Sequence, residues 1–140
     1  MRLLIDANII LDVLQKREPH WKDSSAIWKL CEIGQAEGYI SALTFANLVY
    51  VMRKELEPAQ IEDVLTKIKL IFRFADFSTA DMTKAAEMAW NDFEDAVQSA
   101  TAERIQADFI ITRNVRDFYQ SRIVASTPTE FIAKPEQDSI

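Results

Sequence analysis

The sequence contains few of the residues that would support anything other than an ordinary globular fold. Its one cysteine, Cys31, excludes an internal disulfide framework and predicts a reducing location, most simply the cytoplasm. Its one histidine, His20, excludes a zinc site built on a pair of histidines. Two glycines and four prolines leave little room for long irregular loops. No apolar run reaches the roughly 18 residues of a membrane-spanning helix, so no membrane association is expected.

The residues that are present are typical of a single soluble domain. The 140 residues are 49% hydrophobic and 27% charged. Sixteen basic and 22 acidic residues give a formal net charge of −6. Taken alone, this charge argues against a nucleic-acid binder, because phosphate contacts need lysine and arginine. The alternative is that acidic side chains are gathered to hold a metal cation, and the positions of the aspartates decide between these interpretations.

Hydrophobic periodicity predicts strands that alternate with helices. Short apolar segments predict strands over residues 2–5, 38–41, 71–77, 108–112 and 123–125. Amphipathic segments predict helices over residues 8–16, 19–35, 44–54 with Thr44 as N-cap, 58–70, 79–90 and 92–106, and a last one from Pro128. This alternation predicts an α/β fold with a mostly parallel, about five-stranded sheet and helices on both faces. We expect one domain over residues 1–133 and a mobile tail over 134–140.

Acidic side chains recur where predicted strands end and where a helix begins. They are Asp6 after the first strand, Asp92 and Asp95 at a helix start, and Asp117 after the fourth strand. Ligands of parallel sheets bind beyond the carboxyl ends of the strands, so these side chains are expected at one edge. Like charges at one place repel unless a cation neutralises them. Oxygen ligands without clustered histidine or cysteine suit Mg²⁺ or Mn²⁺.

Each of these residues also has an interpretation that needs no metal. Asp92 and Asp95 would favour a helix N-terminus through its dipole, and Asp117 would suit a turn. Asp12 lies inside the first helix, where a solvated face is the simpler expectation. Asn47 interrupts an apolar stretch, and a buried amide there needs hydrogen-bond partners. A place in the site and a structural role explain Asn47 equally well.

Other chemistries find less support in the sequence. A phosphatase that uses an aspartyl nucleophile would need a second aspartate two residues after Asp6, and Asn8 stands there. No glycine-rich phosphate loop is present. Cys31 lies in the apolar stripe of a predicted helix, which is typical of a core residue rather than a nucleophile.

Four segments, in order, resemble the motifs of PIN-domain nucleases. They are Leu4–Asp12, Ile40–Asn47, Asp92–Gln98 and Ile110–Phe118, and Thr127–Phe131 is similar to the family's closing segment. Each motif is short, but their order and spacing extend over nearly the whole chain. The resemblance implies a small three-layer α/β/α sandwich and a metal-dependent ribonuclease that acts on single-stranded RNA. Many small bacterial and archaeal members are VapC-type toxins, so an antitoxin partner and a homodimer are expected.

By position, the resemblance also implies roles for individual residues. Three acidic residues match the catalytic, metal-binding positions: Asp6, Asp95 and Asp117. A further candidate carboxylate for the metal is Asp92. Four polar residues are expected to support the site: Asn8, Asn47, Thr112 and Asn114. Two cations that flank the last acid are expected to hold substrate phosphates: Arg113 and Arg116.

Asn47 stands where most members of the family carry a glutamate. An amide offers a carbonyl ligand but no charge, so metal affinity would be lower or Asp92 would supply the missing carboxylate. The same difference leaves a second function open. In it, the chain keeps the PIN fold as a catalytically weak or inactive module that binds a partner protein or RNA.

Overall fold

The centre of the molecule is a sheet of five parallel strands. The computed structural model describes residues 1–134, in which the strands are β1 Arg2–Ile5, β2 Glu37–Ser41, β3 Arg73–Ala75, β4 Phe109–Ile111 and β5 Ala125–Ser126. Their order is β3-β2-β1-β4-β5, and every neighbouring pair is parallel. The predicted α/β fold is confirmed, and the sheet in these residues is parallel throughout rather than mostly so.

Among residues 1–134, seven α-helices connect and cover the strands. They are α1 Ala7–Gln15, α2 Trp21–Glu32, α3 Ala42–Met52, α4 Pro58–Ile71, α5 Thr79–Met88, α6 Phe93–Arg104 and α7 Pro128–Ala133, and a 3₁₀ turn spans Val115–Phe118. Asp6 alone separates β1 from α1, and α3 begins directly after the last residue of β2. Residues at the carboxyl ends of these two strands are therefore also helix N-caps.

Alternate side chains of β1 face opposite sides of the sheet. Leu3 and Ile5 lie in a core shared with α1, α2, α3 and α4, whereas Leu4 lies in a second core with Ala102 of α6 and Phe118. The side chains of Leu3, Leu4 and Ile5 are all fully buried, as expected for the central strand of a parallel sheet. Because both faces are covered by helices, the fold is the three-layer α/β/α sandwich that the resemblance implied.

Two boundaries differ from the sequence-based prediction. The N-cap of α3 is Ser41 rather than Thr44, because the Ser41 hydroxyl accepts a hydrogen bond from the Thr44 backbone amide (3.0 Å). The third strand is shorter than residues 71–77, because α4 continues to Ile71. Ile68 and Phe72, four residues apart, are both buried in the core, so helical spacing persists where the alternating pattern predicted a strand.

Two expectations about burial were wrong. Asp12 is fully buried rather than on a solvated face, and its carboxylate faces the guanidinium of Arg113 (3.0 Å). Asn47 is exposed rather than buried. The buried residues of α3 are Thr44, Leu48 and Met52, and this four-residue repeat leaves position 47 outside the buried stripe.

None of the helices in residues 1–134 is long and apolar enough to cross a membrane. Of the tail predicted to be mobile, only Lys134 is described, and residues 135–140 lie outside the described part of the chain.

Candidate active site

The order of the strands creates a crevice between β1 and β4. The chain moves from β1 outward to β2 and β3, then returns to the other side of β1 as β4. In open parallel sheets, ligands bind beyond the carboxyl ends of the strands at the point where this direction reverses. Asp6 follows β1 at that edge, and Thr112 follows β4.

Asp6 is held by hydrogen bonds from both sides of this crevice. One carboxylate oxygen accepts from the backbone amide of Ala7 (2.8 Å), and the other accepts from the hydroxyl of Thr112 (2.7 Å). The side-chain amide of Asn8 lies 3.4 Å from the second oxygen. Burial raises the pKa of Asp6 above its usual value, although the hydrogen bonds from Thr112 and Ala7 oppose the shift.

The start of α6 brings two further carboxylates to the site. Asp92 is the N-cap, and its side chain accepts a hydrogen bond from the Asp95 backbone amide (3.1 Å). Asp95 is partly buried, and all seven residues that follow it are buried. Asp95 is therefore the last side chain of α6 near solvent before the helix enters the core. Asp92 therefore has a structural role as the N-cap of α6, and this role does not exclude a second one in the site.

Electrostatic coupling shows that carboxylates from three segments lie near one another. The pKa of Asp95 is raised to about 7, first by burial and then by the negative charges of Asp92, Asp6, Asp117 and Glu94 in that order. Asp117 also raises the pKa of Asp6. The segments after β1, at the start of α6 and after β4 therefore share one acidic neighbourhood.

The segment after β4 carries the remaining polar candidates. Thr112 is fully buried, and its hydroxyl accepts a hydrogen bond from the Asn114 backbone amide (3.0 Å) while it donates to Asp6. Asn114 precedes the 3₁₀ turn, and its carbonyl accepts from the Asp117 amide (3.0 Å). Asp117 and Arg116 are exposed. One hydroxyl therefore connects the Asp6 carboxylate to the turn that carries Asp117.

Arg113 is partly engaged inside the protein. Its guanidinium forms an ion pair with the buried Asp12 of α1, and Asp12 also accepts a hydrogen bond from the Ser24 hydroxyl of α2 (3.2 Å). The positive charge of Arg113 lowers the pKa of Asp6. Arg116 is exposed on the same turn. Of the two arginines predicted to hold substrate phosphates, Arg116 has the side chain that is open to solvent.

A buried polar network beside the acids was not predicted. The Gln98 amide of α6 accepts a hydrogen bond from the Ser41 hydroxyl (2.5 Å) and donates one to the Thr44 hydroxyl (2.9 Å). The hydroxyl oxygens of Ser41 and Thr44 also lie 3.1 Å apart. The sequence signal for this network is the glutamine itself, which interrupts a run of small and apolar residues in α6. We refer to Ser41, Thr44 and Gln98 as the buried polar triad.

Asn47 does not take part in these contacts. It is exposed on α3, and within residues 1–134 its side chain forms no hydrogen bond with any of the acids. Its expected role as a supporting residue therefore stays a prediction.

The donors of this site fit a hard divalent cation in type and charge. Besides the carboxylates, Asn8 Oδ1 is a buried oxygen that has no hydrogen-bond partner among residues 1–134. In the same residues, no three histidine, cysteine, aspartate or glutamate side chains are close enough to form a complete metal-binding group. Mg²⁺ commonly keeps several waters and binds one or two carboxylates together with substrate phosphates, so an open set of carboxylates is compatible with it.

The fold and the acidic crevice define a class: an α/β/α domain with carboxylates at the switch point of a parallel sheet. A family model described as the PIN domain matches residues 2–116. The chain therefore belongs to the PIN-domain family, which confirms the resemblance of its motifs. No curated protein sequence matches the chain significantly.

Solved structures show the same fold. A chain of VapBC-1 from nontypeable Haemophilus influenzae is 15% identical, with a TM-score of 0.71 over 92% of this chain and 99% of that one. A chain of VapBC2 from Rickettsia felis, bound to a DNA fragment from their promoter, is 17% identical, with a TM-score of 0.70 over 91% and 98%. VapC20 from Mycobacterium tuberculosis, a sarcin-ricin loop cleaving toxin, is 9% identical, with a TM-score of 0.62 over 77% and 86%. At identities this low, the similarities show a shared fold and nothing beyond it.

Proposed function

We propose that this PIN-domain protein is a metal-dependent endoribonuclease that hydrolyses single-stranded RNA and acts as the toxin of a toxin–antitoxin pair. The observation that carries the proposal is the placement of Asp6 after β1, Asp95 in the first turn of α6 and Asp117 after β4 around the switch point of a PIN domain. Three carboxylates of one electrostatic neighbourhood are stable together only with protons or with a cation. Mg²⁺ and Mn²⁺ are the cations that oxygen donors of this kind suit.

One or two of the carboxylates of Asp6, Asp95 and Asp117 would ligate the cation directly and the others would hold its waters, with Asp92 beside them. When bound, it would supply positive charge to the scissile phosphate and make water a stronger nucleophile. The residues of the chain prepare this chemistry. Thr112 donates to Asp6 and so favours its ionised, ligating form.

The proton of Asp95 is important for the same chemistry. The pKa of Asp95 is raised to about 7 by burial and by its acidic neighbours, so near neutral pH a cation would compete with a proton for this carboxylate. Arg116, exposed beside Asp117, would hold a substrate phosphate outside the acidic group.

The relatives support the partners that we propose. VapC20 is described as a toxin that cleaves the sarcin-ricin loop, which supports RNA as the substrate here. VapBC-1 and VapBC2 are toxin–antitoxin complexes, which supports an antitoxin protein as a binding partner. The homodimer stays a prediction that light scattering of the purified protein would test.

The decisive experiment measures cleavage of a fluorescent single-stranded RNA in Mn²⁺ and in chelator. We expect wild type to cleave only with the metal and Asp6→Asn to fall to background. Asp63→Asn is the matched control, because it removes the same charge from an exposed position on α4. A duplex of the same sequence tests the preference for single strands. Equal cleavage by the two variants would show that the activity does not arise from this site.

A second candidate function is a PIN-fold module that binds a partner or RNA without cleavage. The observation in its favour is Asn47, which is exposed and uncharged where most of the family carries a glutamate. Asn47→Glu distinguishes the two functions. If the amide only replaces a missing ligand, the variant should bind Mn²⁺ about tenfold more tightly, a change that needs only about 1.4 kcal/mol. Binding of RNA that never leads to cleavage, in wild type and in Asn47→Glu, would favour the module.

A further inference from the structure

The buried polar triad joins three elements at the edge of the sheet that carries the acids. Ser41 is the last residue of β2 and the N-cap of α3, Thr44 lies in the first turn of α3, and Gln98 belongs to α6. Each of the three side chains is at least 95% buried. The sheet edge, α3 and α6 therefore meet at one set of hydrogen bonds.

Both ends of the Gln98 amide are used inside this triad. Its oxygen accepts from Ser41 (2.5 Å) and its nitrogen donates to Thr44 (2.9 Å). Buried polar groups contribute little net stability compared with apolar groups of the same shape, but a fully bonded network allows only one arrangement of the elements that it joins. The property that the triad adds is therefore a defined position of α6 relative to the sheet.

That position matters because Asp95 lies one helical turn before Gln98. Residues three apart on a helix share a face, so the triad and Asp95 lie on the same side of α6. The hydrogen bonds from Gln98 to the last residue of β2 and to the first turn of α3 therefore fix how far the first turn of α6 lies from the sheet edge.

We propose that Gln98 is a positioning residue, which holds the first turn of α6 at the sheet edge so that Asp95 stays in reach of the cation. The inference rests on the proposed function, because it assigns Asp95 to the metal. The inference makes metal affinity depend on Gln98, a residue that lies outside the acidic group. Gln98 acts through Asp95 and contacts neither the cation nor RNA.

The test compares three single variants of the full-length chain. Gln98→Met removes both hydrogen bonds at nearly constant length, and Thr44→Val removes the partner of the Gln98 nitrogen. Thr101→Val is the matched control: Thr101 is also buried on α6, one turn further along, and its hydroxyl donates to the Val97 carbonyl (2.8 Å) and lies 3.4 Å from Asp81 of α5. Calorimetric titration with Mn²⁺ alone gives the metal affinity, and melting in chelator gives the stability.

We expect Gln98→Met and Thr44→Val to weaken Mn²⁺ binding about tenfold, the lower end of what loss of an orienting hydrogen bond costs a metal site. Thr101→Val should lower the melting temperature in chelator about as much as Gln98→Met does, and it should leave the Mn²⁺ affinity unchanged. The double variant Gln98→Met/Thr44→Val should bind no more weakly than the weaker single variant, because both changes break the same network.

The outcomes separate this inference from the proposed function. Unchanged Mn²⁺ affinity in Gln98→Met and Thr44→Val would overturn the positioning role, even if wild type cleaves RNA. An equal loss of affinity in Thr101→Val would also overturn it, because any loss of stability in α6 would then be enough to weaken Mn²⁺ binding. If wild type binds Mn²⁺ and the affinities differ as expected, the role of Gln98 holds even where no RNA is cleaved. A wild type that binds no Mn²⁺ would overturn both.

Discussion

One hydroxyl, that of Thr112, connects the two strands on which the site is built. It donates to the Asp6 carboxylate and accepts from the Asn114 amide. We expect Thr112→Val to lower the free energy of unfolding by about 1–3 kcal/mol, because a hydrogen bond to a buried carboxylate is lost without replacement. The pKa of Asp6 should rise further, since the Thr112 bond lowers it. Urea unfolding at pH 8 and pH 4 measures both effects.

Thr112→Ser is the control for this prediction, because it keeps the hydroxyl. A group whose pKa is raised in the folded state loses stability as pH rises from its unfolded pKa towards its folded one. The deficit of Thr112→Val should therefore be larger at pH 8 than at pH 4. A deficit of equal size at both pH values would mean that the hydroxyl does not act through the charge of Asp6.

The raised pKa of Asp95 predicts a pH dependence of its own. The pKa is about 7 in the folded state and about 3.9 in an unfolded chain, so the folded state binds more protons between these values. Metal-free wild type should therefore lose stability as pH rises from about 4 to about 7. Asp95→Asn should remove part of this slope and melt a few degrees higher at pH 8.

Thermal melts in chelator at several pH values check this prediction. Asp63→Asn, with the same loss of charge on α4, should keep the slope of wild type. Mn²⁺ should raise the melting temperature of wild type and have little effect on Asp95→Asn, because a ligand stabilises only the state that binds it. Equal shifts of the melting temperature by Mn²⁺ in both proteins would show that Asp95 does not bind the metal.

Among the elements, α1 and the segment after β4 are joined by a buried ion pair. Asp12 is fully buried, and its main counter-charge in the described residues is Arg113. Removal of one partner leaves a buried charge unpaired, which is strongly destabilising. We expect Arg113→Met to lower the free energy of unfolding by about 3 kcal/mol. Chemical denaturation at neutral pH measures the loss.

The double variant Asp12→Leu/Arg113→Met controls for this effect. Replacement of both charges by apolar side chains commonly restores stability, so the double variant should be more stable than Arg113→Met alone. If the double variant were as unstable as the single one, the packing of the Arg113 side chain, and not its charge, would stabilise the contact between α1 and the segment after β4.

At the level of elements, the sequence predicted most of the fold. Strong periodicity located β1, β2, β4 and the helices between them, because burial on one or both faces leaves a clear pattern. It failed where one pattern runs into the next: helical spacing continues from Ile68 to Phe72, and α4 extends through the start of the strand predicted over residues 71–77. The 3₁₀ turn at Val115–Phe118 was not predicted, because so short an element leaves no period.

The acids of the site were predicted from their places at strand ends and a helix start. Their partners were not, because those contacts join residues far apart in the sequence. Gln98 reaches Thr44 across 54 positions, and Asp12 reaches a cation beyond β4. Spacing along one helix predicts which residues share a face, but it does not predict what covers that face. This is why Asp12 was expected in solvent and Asn47 in the interior.

For the whole molecule, the place of each charge matters more than the net charge of −6. Arg116 lies at the carboxyl edge of the sheet beside Asp117, whereas Arg73 is the first residue of the outermost strand β3 and its guanidinium faces Glu37 (4.0 Å). Arg116→Ala and Arg73→Ala change the net charge equally. We expect Arg116→Ala to raise the KM for RNA by roughly tenfold, equivalent to about 1.4 kcal/mol, with little change in kcat. Arg73→Ala should leave both constants near wild type.

Steady-state kinetics on the fluorescent RNA, at two salt concentrations, measures this difference. The effect of Arg116→Ala should shrink in high salt, because an exposed contact with phosphate is screened. If both variants raised the KM equally, RNA binding would depend on the electrostatic field of the whole protein. That result would contradict a phosphate-binding position beside Asp117.

The central position of β1 also has a consequence for how the chain folds. The hydrogen bond from Thr112 to Asp6 closes a loop of 106 residues, and such distant pairings carry a large entropy cost and slow the folding of a domain. A chain in which only β1, β2 and β3 have assembled has Asp6 in place, but Asp95, Thr112 and Asp117 are not yet beside it. If the proposed ribonuclease activity is correct, cleavage would begin only after β4 has docked, and a partly synthesised or partly folded chain would leave the surrounding RNA intact.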